Sequence, residues 1–259
     1  MLEAAFWGFV AASSLILGAV IAFAFRVSDR ALGLVLAFGS GVLMSTVAYE
    51  LVEDALSEAP TSALFAVAFG AGAVTFYLGS VLLARRSAGP APISEPETPA
   101  ATPATPAHLA SHRGRRSAGT EIVLGTILDG IPESVVLGLS LLGGATVSVP
   151  VLVAVFISNV PEALGASADL RQDGEPRGRI LRLWIVVALA SGAAAGLGYG
   201  IVGLAPAWVV TAVQAFAGGA ILAMLAESMV PEAYHKGGRA VGLATAFGFA
   251  VAAILSAVA

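Results

Sequence analysis

Asp129-Gly130-Ile131-Pro132-Glu133 and Ser158-Asn159-Val160-Pro161-Glu162 repeat one pattern at an offset of 29 residues. Each stretch lies inside an apolar run long enough to cross a bilayer, at about 119–141 and 147–169. A charged side chain at that depth costs roughly 2.5–3.5 kcal/mol, so it persists where it faces a polar cavity, pairs or binds an ion. Each stretch also carries a proline, which removes one helical hydrogen bond. The carbonyls of Leu128 and Ile157, four residues upstream, lose their usual donors. Carboxylate, amide and freed carbonyl are all oxygen groups. Two such sets on adjacent helices point to a cation site in a membrane.

Composition agrees with that setting. Of 259 residues, 58% are hydrophobic and 12% charged, against about 25% charged in a typical soluble protein. Mean hydropathy is +0.90. There is no cysteine, hence no disulfide, thiolate metal site or catalytic thiol. Met1-Leu2-Glu3-Ala4 lacks a basic start, and the apolar run after it is long enough to span, so it reads as a span rather than a cleaved leader.

The predicted fold class is all-α, a polytopic membrane protein with eight transmembrane helices. The spans fall at about 4–25, 31–52, 61–84, 119–141, 147–169, 180–203, 207–230 and 239–258. Trp7, Trp184 and Trp208 fall near span ends, where interfacial rings are expected. The 13 Lys and Arg lie in alternate connections or at their edges, from Arg26 and Arg30 to Lys236 and Arg239. The opposite connections and both ends of the chain carry none, so both termini are expected outside. The acidic segment with Glu53, Asp54 and Glu58 reads as an outer loop. Residues 1–84 hold helices one to three, 119–170 hold helices four and five with the site, and 171–259 hold helices six to eight, in one membrane domain. Between them, 85–118 is rich in Pro, Ala, Ser and Thr and is expected to be a disordered cytoplasmic loop. His108 and His112 within it are more simply two exposed histidines than a metal clip, and His235 reads as a cytoplasmic loop residue.

A second repeat runs at an offset of 178. Ala37-Phe38-Gly39-Ser40-Gly41 resembles Ala215-Phe216-Ala217-Gly218-Gly219, and Ala48, Val52 and Ala55 match Ala226, Val230 and Ala233. The repeated spans cross in opposite senses. Inverted repeats characterise many transporters, whose substrates bind near the midplane.

Asp129 and Glu133 are four apart and share a helical face; Asn159 and Glu162, three apart, do the same on the next helix. This set suits a hard divalent cation such as Mg, Ca or Mn, and zinc also accepts carboxylates. The blander reading is a buried acid pair sharing protons. Ser134 and Ser158 offer hydroxyls, Pro132 and Pro161 set kinks, and Glu50 and Glu227 are candidate entry and exit ligands or wetted interfacial acids. There is no Gly-x-x-x-x-Gly-Lys-Ser/Thr motif and no covalent chemistry, so the protein is not read as an enzyme and needs no prosthetic group. Its expected partners are the bilayer and the ion, with no nucleic acid.

With Leu222-Ala223-Met224-Leu225-Ala226-Glu227-Ser228-Met229-Val230-Pro231-Glu232-Ala233 added to the paired Pro-Glu signatures and the long third connection, the chain resembles the ZIP (Zrt/Irt-like) metal transporters over essentially its whole length. The resemblance implies a 3+2+3 helix arrangement and a homodimer in the cell's inner (plasma) membrane. It also implies zinc, iron or manganese import toward the cytoplasm, by elevator-like motion of spans one, four, five and six. The metal ligands would be Asp129, Glu133, Asn159 and Glu162. The chain departs from that family's His-Asn-x-Pro-Glu-Gly pattern. Asp129 and Gly130 take the first two places and Ser134 the last; Ser158 stands where His or Gln is usual; Ser191-Gly192 is followed by alanines rather than an acid. One metal instead of two, and harder ions instead of zinc, are the expectations these departures carry. A proton-coupled carrier of a small solute and a non-transporting metal-sensing membrane protein are the competing readings.

Overall fold

The computed structural model describes residues 1–25, 27–87, 118–142 and 146–258, without side chains at 84–87, 118–124, 126–129 and 258. Arg26, His108, His112 and nearly all of the 85–118 connection lie outside the described residues.

The described residues are mostly helical, and none of them forms a strand. Helix α1 covers Leu2–Ala24, α2 Asp29–Thr46, α3 Glu53–Glu58, α4 Ser62–Ser87 and α5 Ala118–Leu139. Then come α6 (Val149–Gln172), α7 (Arg177–Leu197), α8 (Ala207–Met224), α9 (Val230–Gly237) and α10 (Val241–Val258). Local chemistry explains several limits. Ser28 caps α2 by accepting the Ala31 N–H at 3.3 Å. Ser148 caps α6 by accepting the Val151 N–H at 3.3 Å, with Pro150 in the first turn. Gly238, at φ 66°, closes α9 in a conformation that other residues rarely adopt.

Among the described residues, six helical stretches are long and apolar enough to cross a membrane: Leu2–Ala24, Asp29–Glu58, Ser62–Leu83, Val149–Gln172, Arg177–Val202 and Ala207–Ala257. The last is 51 residues long, more than twice a single crossing, and Gly238 interrupts it. Large apolar side chains cover the outside, with Leu204 at 89% exposure and Leu243 at 78%. The interior is built largely of Ala, Gly, Ser and Leu. Small residues inside and large ones outside are the pattern of helices packed in lipid. The fold is that of an all-helical, membrane-embedded protein.

The packing has an internal correspondence. Helix α1 packs on α6 and α7, α2 on α6 and α10, α4 on α8, and α5 on α7 and α8. Exchanging α1 with α7, α2 with α8, α4 with α10 and α5 with α6 leaves these pairings unchanged. The limits of α2 and α8 differ by 178 residues at both ends, and a π-helical turn follows each, at Val47–Val52 and Leu225–Met229. Close backbone approach recurs too. A Cβ on Gly248 of α10 would overlap the Phe38 carbonyl of α2, and a Cβ on Gly72 of α4 would overlap the Phe216 carbonyl of α8. Phe38 and Phe216 are themselves 178 apart.

Three expectations are corrected. Trp184 is not interfacial: it is fully buried and donates its Nε1–H to Ser167 Oγ at 2.8 Å, because α6 offers the indole a polar partner inside the bundle. Residues 53–58 are not a loop, since α2 continues through its π turn into α3. His235 is likewise on a helix, the exposed face of α9. Arg171 donates to the Ala22 carbonyl at 2.6 Å, satisfying an end of α1 that lacks a helical donor.

Candidate cation site

Both proline-bearing signatures remain within continuous helices, Pro132 in α5 and Pro161 in α6. Glu133 is 4% exposed and Asn159 is 6% exposed, while Glu162 is half-buried. Neither Glu133 nor Glu162 is without a partner. Ser134 and Ser158 are buried, and each donates its hydroxyl to its own helix: Ser134 to the Gly130 carbonyl at 2.6 Å, Ser158 to the Val155 carbonyl at 3.0 Å. These back-bonds turn both hydroxyls along the helix. Asp129 lies within α5, and its side chain is outside the described residues, as is that of Glu121. Among the described residues, no group of three or more His, Cys, Asp or Glu comes together, and Asp129 does not enter that count.

The α6 signature is clamped by two glycines. A Cβ on Gly18 of α1 would overlap the Val160 carbonyl. A Cβ on Gly39 of α2 would lie 3.2 Å from Ser158 Cα and 3.6 Å from the Ile157 carbonyl oxygen, the one released by Pro161. Two backbones thus close on the turn that lacks a normal hydrogen bond. On α5, Gly130 faces α7, with Ser191 Oγ 3.6 Å from where its Cβ would be.

Glu50 and Glu227 both sit in π turns. The Glu53 N–H reaches back five residues to the Ala48 carbonyl, and the Val230 N–H does the same to Leu225. Both turns start 178 residues apart, and Glu50 and Glu227, 177 apart, lie one position out of that register in them. Such turns are frequent at functional positions. Half-buried Glu50 accepts a hydrogen bond from Ser148 Oγ at 2.9 Å; exposed Glu227 accepts one from Ser80 Oγ at 3.0 Å. Ser148 precedes Ser158 by ten residues, or about 15 Å of helix, so Glu50 is well removed from the signature.

Clefts open at both ends of α6. One, of about 400 Å³, is lined by Asp29 and Leu32 of α2, Leu164, Gly165 and Asp169 of α6, and Lys236 of α9. The other, of about 350 Å³, includes Glu3 and Trp7 of α1, Thr146, Val147 and Tyr199. The first comes within two residues of Glu162 along α6; the second stops eleven residues short of Ser158. Lys236, ion-paired with Glu232 at 2.7 Å, places its Nζ 3.6 Å from the Cβ position of Gly165 in the nearer cleft.

Sequence reasoning passed over Ser45 and Gln214, whose Oγ and Oε1 are buried with no hydrogen-bond partner among the described residues. A single Ser or Gln in an apolar span has no spacing partner to single it out. Fold and site together define an all-helical, membrane-embedded protein with buried polar groups at two matched proline turns. No protein-family model and no curated protein matches the chain.

Proposed function

We propose that the protein carries a divalent metal cation toward the cytoplasm, with Asp129, Glu133, Asn159 and Glu162 as oxygen ligands and the cation as substrate. One observation carries the reading. Glu133 is 4% exposed inside an apolar helix, in a proline-opened turn matched by the Asn159–Glu162 turn of a helix it touches. An ionised carboxylate so placed is costly unless an opposite charge or several hydrogen bonds meet it. Glu133 already has a partner; carboxylate, amide and freed carbonyl together form the oxygen set that an oxygen-preferring cation takes.

The eight crossings of this reading are α1, α2, α4, α5, α6, α7, α8 and α10. The exchange of packing partners and the shared limits of α2 and α8 support an inverted 3+2+3 arrangement with the α5–α6 pair at its centre. The nearer cleft lies at the end of the bundle where Arg171 and Lys236 collect, which the charge distribution makes cytoplasmic. Its approach to Glu162 supports an inward-facing state of an elevator-like carrier. Residence in the plasma membrane and homodimer formation rest on the ZIP resemblance.

Topology is testable against a clean background, since the chain has no cysteine. Cysteines introduced as Ser57→Cys and Ser111→Cys are expected to label from opposite faces of sealed cells, with position 57 outside. Labelling from one face breaks the eight-span reading.

Selectivity tests the role of Asp129. With a carboxylate in place of a borderline nitrogen ligand, manganese or magnesium is expected to compete well against zinc. Asp129→His is expected to shift the zinc-to-manganese uptake ratio toward zinc by about tenfold, the equivalent of about 1.4 kcal/mol. A native preference for zinc that the variant leaves unchanged removes Asp129 from the ligand set.

A further inference from the structure

The two signatures differ at their second position. The offset of 29 aligns Gly130 with Asn159, so α6 offers an amide where α5 offers no side chain. The space is not empty of oxygen. Among the described residues, the one atom outside α5 within 4 Å of the Gly130 Cβ position is Ser191 Oγ of α7, at 3.6 Å. The amide of an asparagine at position 130 could come within hydrogen-bond reach of that oxygen.

Ser191 is 8% exposed, and no hydrogen bond among the described residues uses its hydroxyl. Ser40, Ser134 and Ser158 each donate to a carbonyl of the preceding turn, whereas Ser191, like Ser45, does not. A buried serine that forgoes this back-bond keeps its oxygen available to another partner. Its backbone is held firmly. The Ser191 carbonyl lies 3.1 Å from the Cβ position of Gly8, and a Cβ on Gly192 would lie 2.8 Å from the Ala5 carbonyl oxygen, so α1 and α7 are in close contact there. The backbone of Ser191 faces α1 while its hydroxyl faces α5.

We propose that Ser191 is a further oxygen ligand of the transported cation, its hydroxyl standing on α7 where α5 lacks the counterpart of Asn159. This rests on the reading of the α5–α6 turns as a cation site. It makes the site a three-helix one, with carboxylates from α5 and α6, an amide from α6 and a neutral hydroxyl from α7. A hard hydroxyl oxygen favours manganese, magnesium or calcium over softer ions.

Two variants test it in full-length protein reconstituted in liposomes. Ser191→Ala removes the oxygen and is expected to raise the half-saturating manganese concentration about five- to tenfold, with the maximal rate held. Adding Gly130→Asn to Ser191→Ala returns an amide from α5 and is expected to recover most of that loss. Ser191→Cys keeps the size and exchanges hard oxygen for soft sulfur. It is expected to tilt competition between cadmium and manganese toward cadmium by about tenfold. It is also expected to give a cadmium–thiolate charge-transfer absorption that a chain without cysteine cannot produce. If Glu133→Ala abolishes uptake while Ser191→Ala leaves half-saturation unchanged and Ser191→Cys shows no cadmium band, the Ser191 assignment fails and the cation site stands. If Glu133→Ala transports normally, the site and the Ser191 assignment fail together.

Discussion

Glu133→Ala and Glu162→Ala are each expected to lower divalent cation uptake by more than about tenfold at matched protein level, the equivalent of at least about 1.4 kcal/mol. Each removes a charged oxygen from the proposed site, whose remaining described candidate ligands include one carboxylate and the neutral Asn159 amide. The two effects differ in kind. Glu133 is the more deeply buried, so its charge is the less screened by water and its replacement is expected to weaken the proposed site more. Glu162 is half-buried and lies two residues along α6 from the cleft residue Leu164, so its replacement is expected also to slow exchange between the proposed site and that cleft. Glu133→Gln keeps the shape and two hydrogen-bonding groups, and it is expected to fold as the native protein while still losing most uptake. Near-normal transport by both alanine variants removes the two turns from consideration.

The largest expected effect on folding falls on glycines outside α5 and α6. Gly248→Leu and Gly72→Leu are each expected to abolish monodisperse protein in detergent. The first added carbon already overlaps the backbone carbonyl of Phe38 or Phe216. Overpacking ordinarily costs about 1–3 kcal/mol, when side chains can yield. Here the obstacle is the backbone of a long helix, which yields only by moving the helix pair apart. Gly70→Leu and Gly242→Leu are the controls: they lie in the same two outer helices, α4 and α10, with nothing among the described residues within 4 Å of their Cβ positions. They are expected to elute and melt as the native protein does. Equal tolerance of all four substitutions shows that the helix pairs are not held by these contacts.

Much of this architecture was legible in the chain. The apolar runs have the length of a crossing, and the matched prolines and acids mark where that apolarity is broken. The offset of 178 could be read from Phe38 and Phe216, and it reappears in the limits of α2 and α8. What could not be read has a physical cause in each case. The π turn at Leu225–Met229 has a local signal in Pro231, which cannot donate to the Glu227 carbonyl, but its counterpart at Val47–Val52 has no proline after it. Trp184 looked interfacial because its position in the sequence does not reveal Ser167, seventeen residues earlier, as the partner of its indole. Gly130 looked like a simple loss of an amide, since a sequence cannot bring Ser191 of a later helix to 3.6 Å from it. In the candidate site, periodicity put Glu133 and Asn159 on helical faces, but only packing shows that those faces turn inward.

Purified protein in sealed liposomes, offered manganese, magnesium, zinc and ferrous iron in turn with a cation-sensitive dye inside, tests the central claim most directly. The expected result is saturable, time-dependent entry of at least one of these ions, strengthened by an inside-negative potential worth about 2.3 kcal/mol per charge at 100 mV. That entry is expected to be lost in both Glu133→Ala and Glu162→Ala. Entry no faster than in empty liposomes for every ion, or entry that both variants leave intact, contradicts a carboxylate-lined cation pathway through α5 and α6.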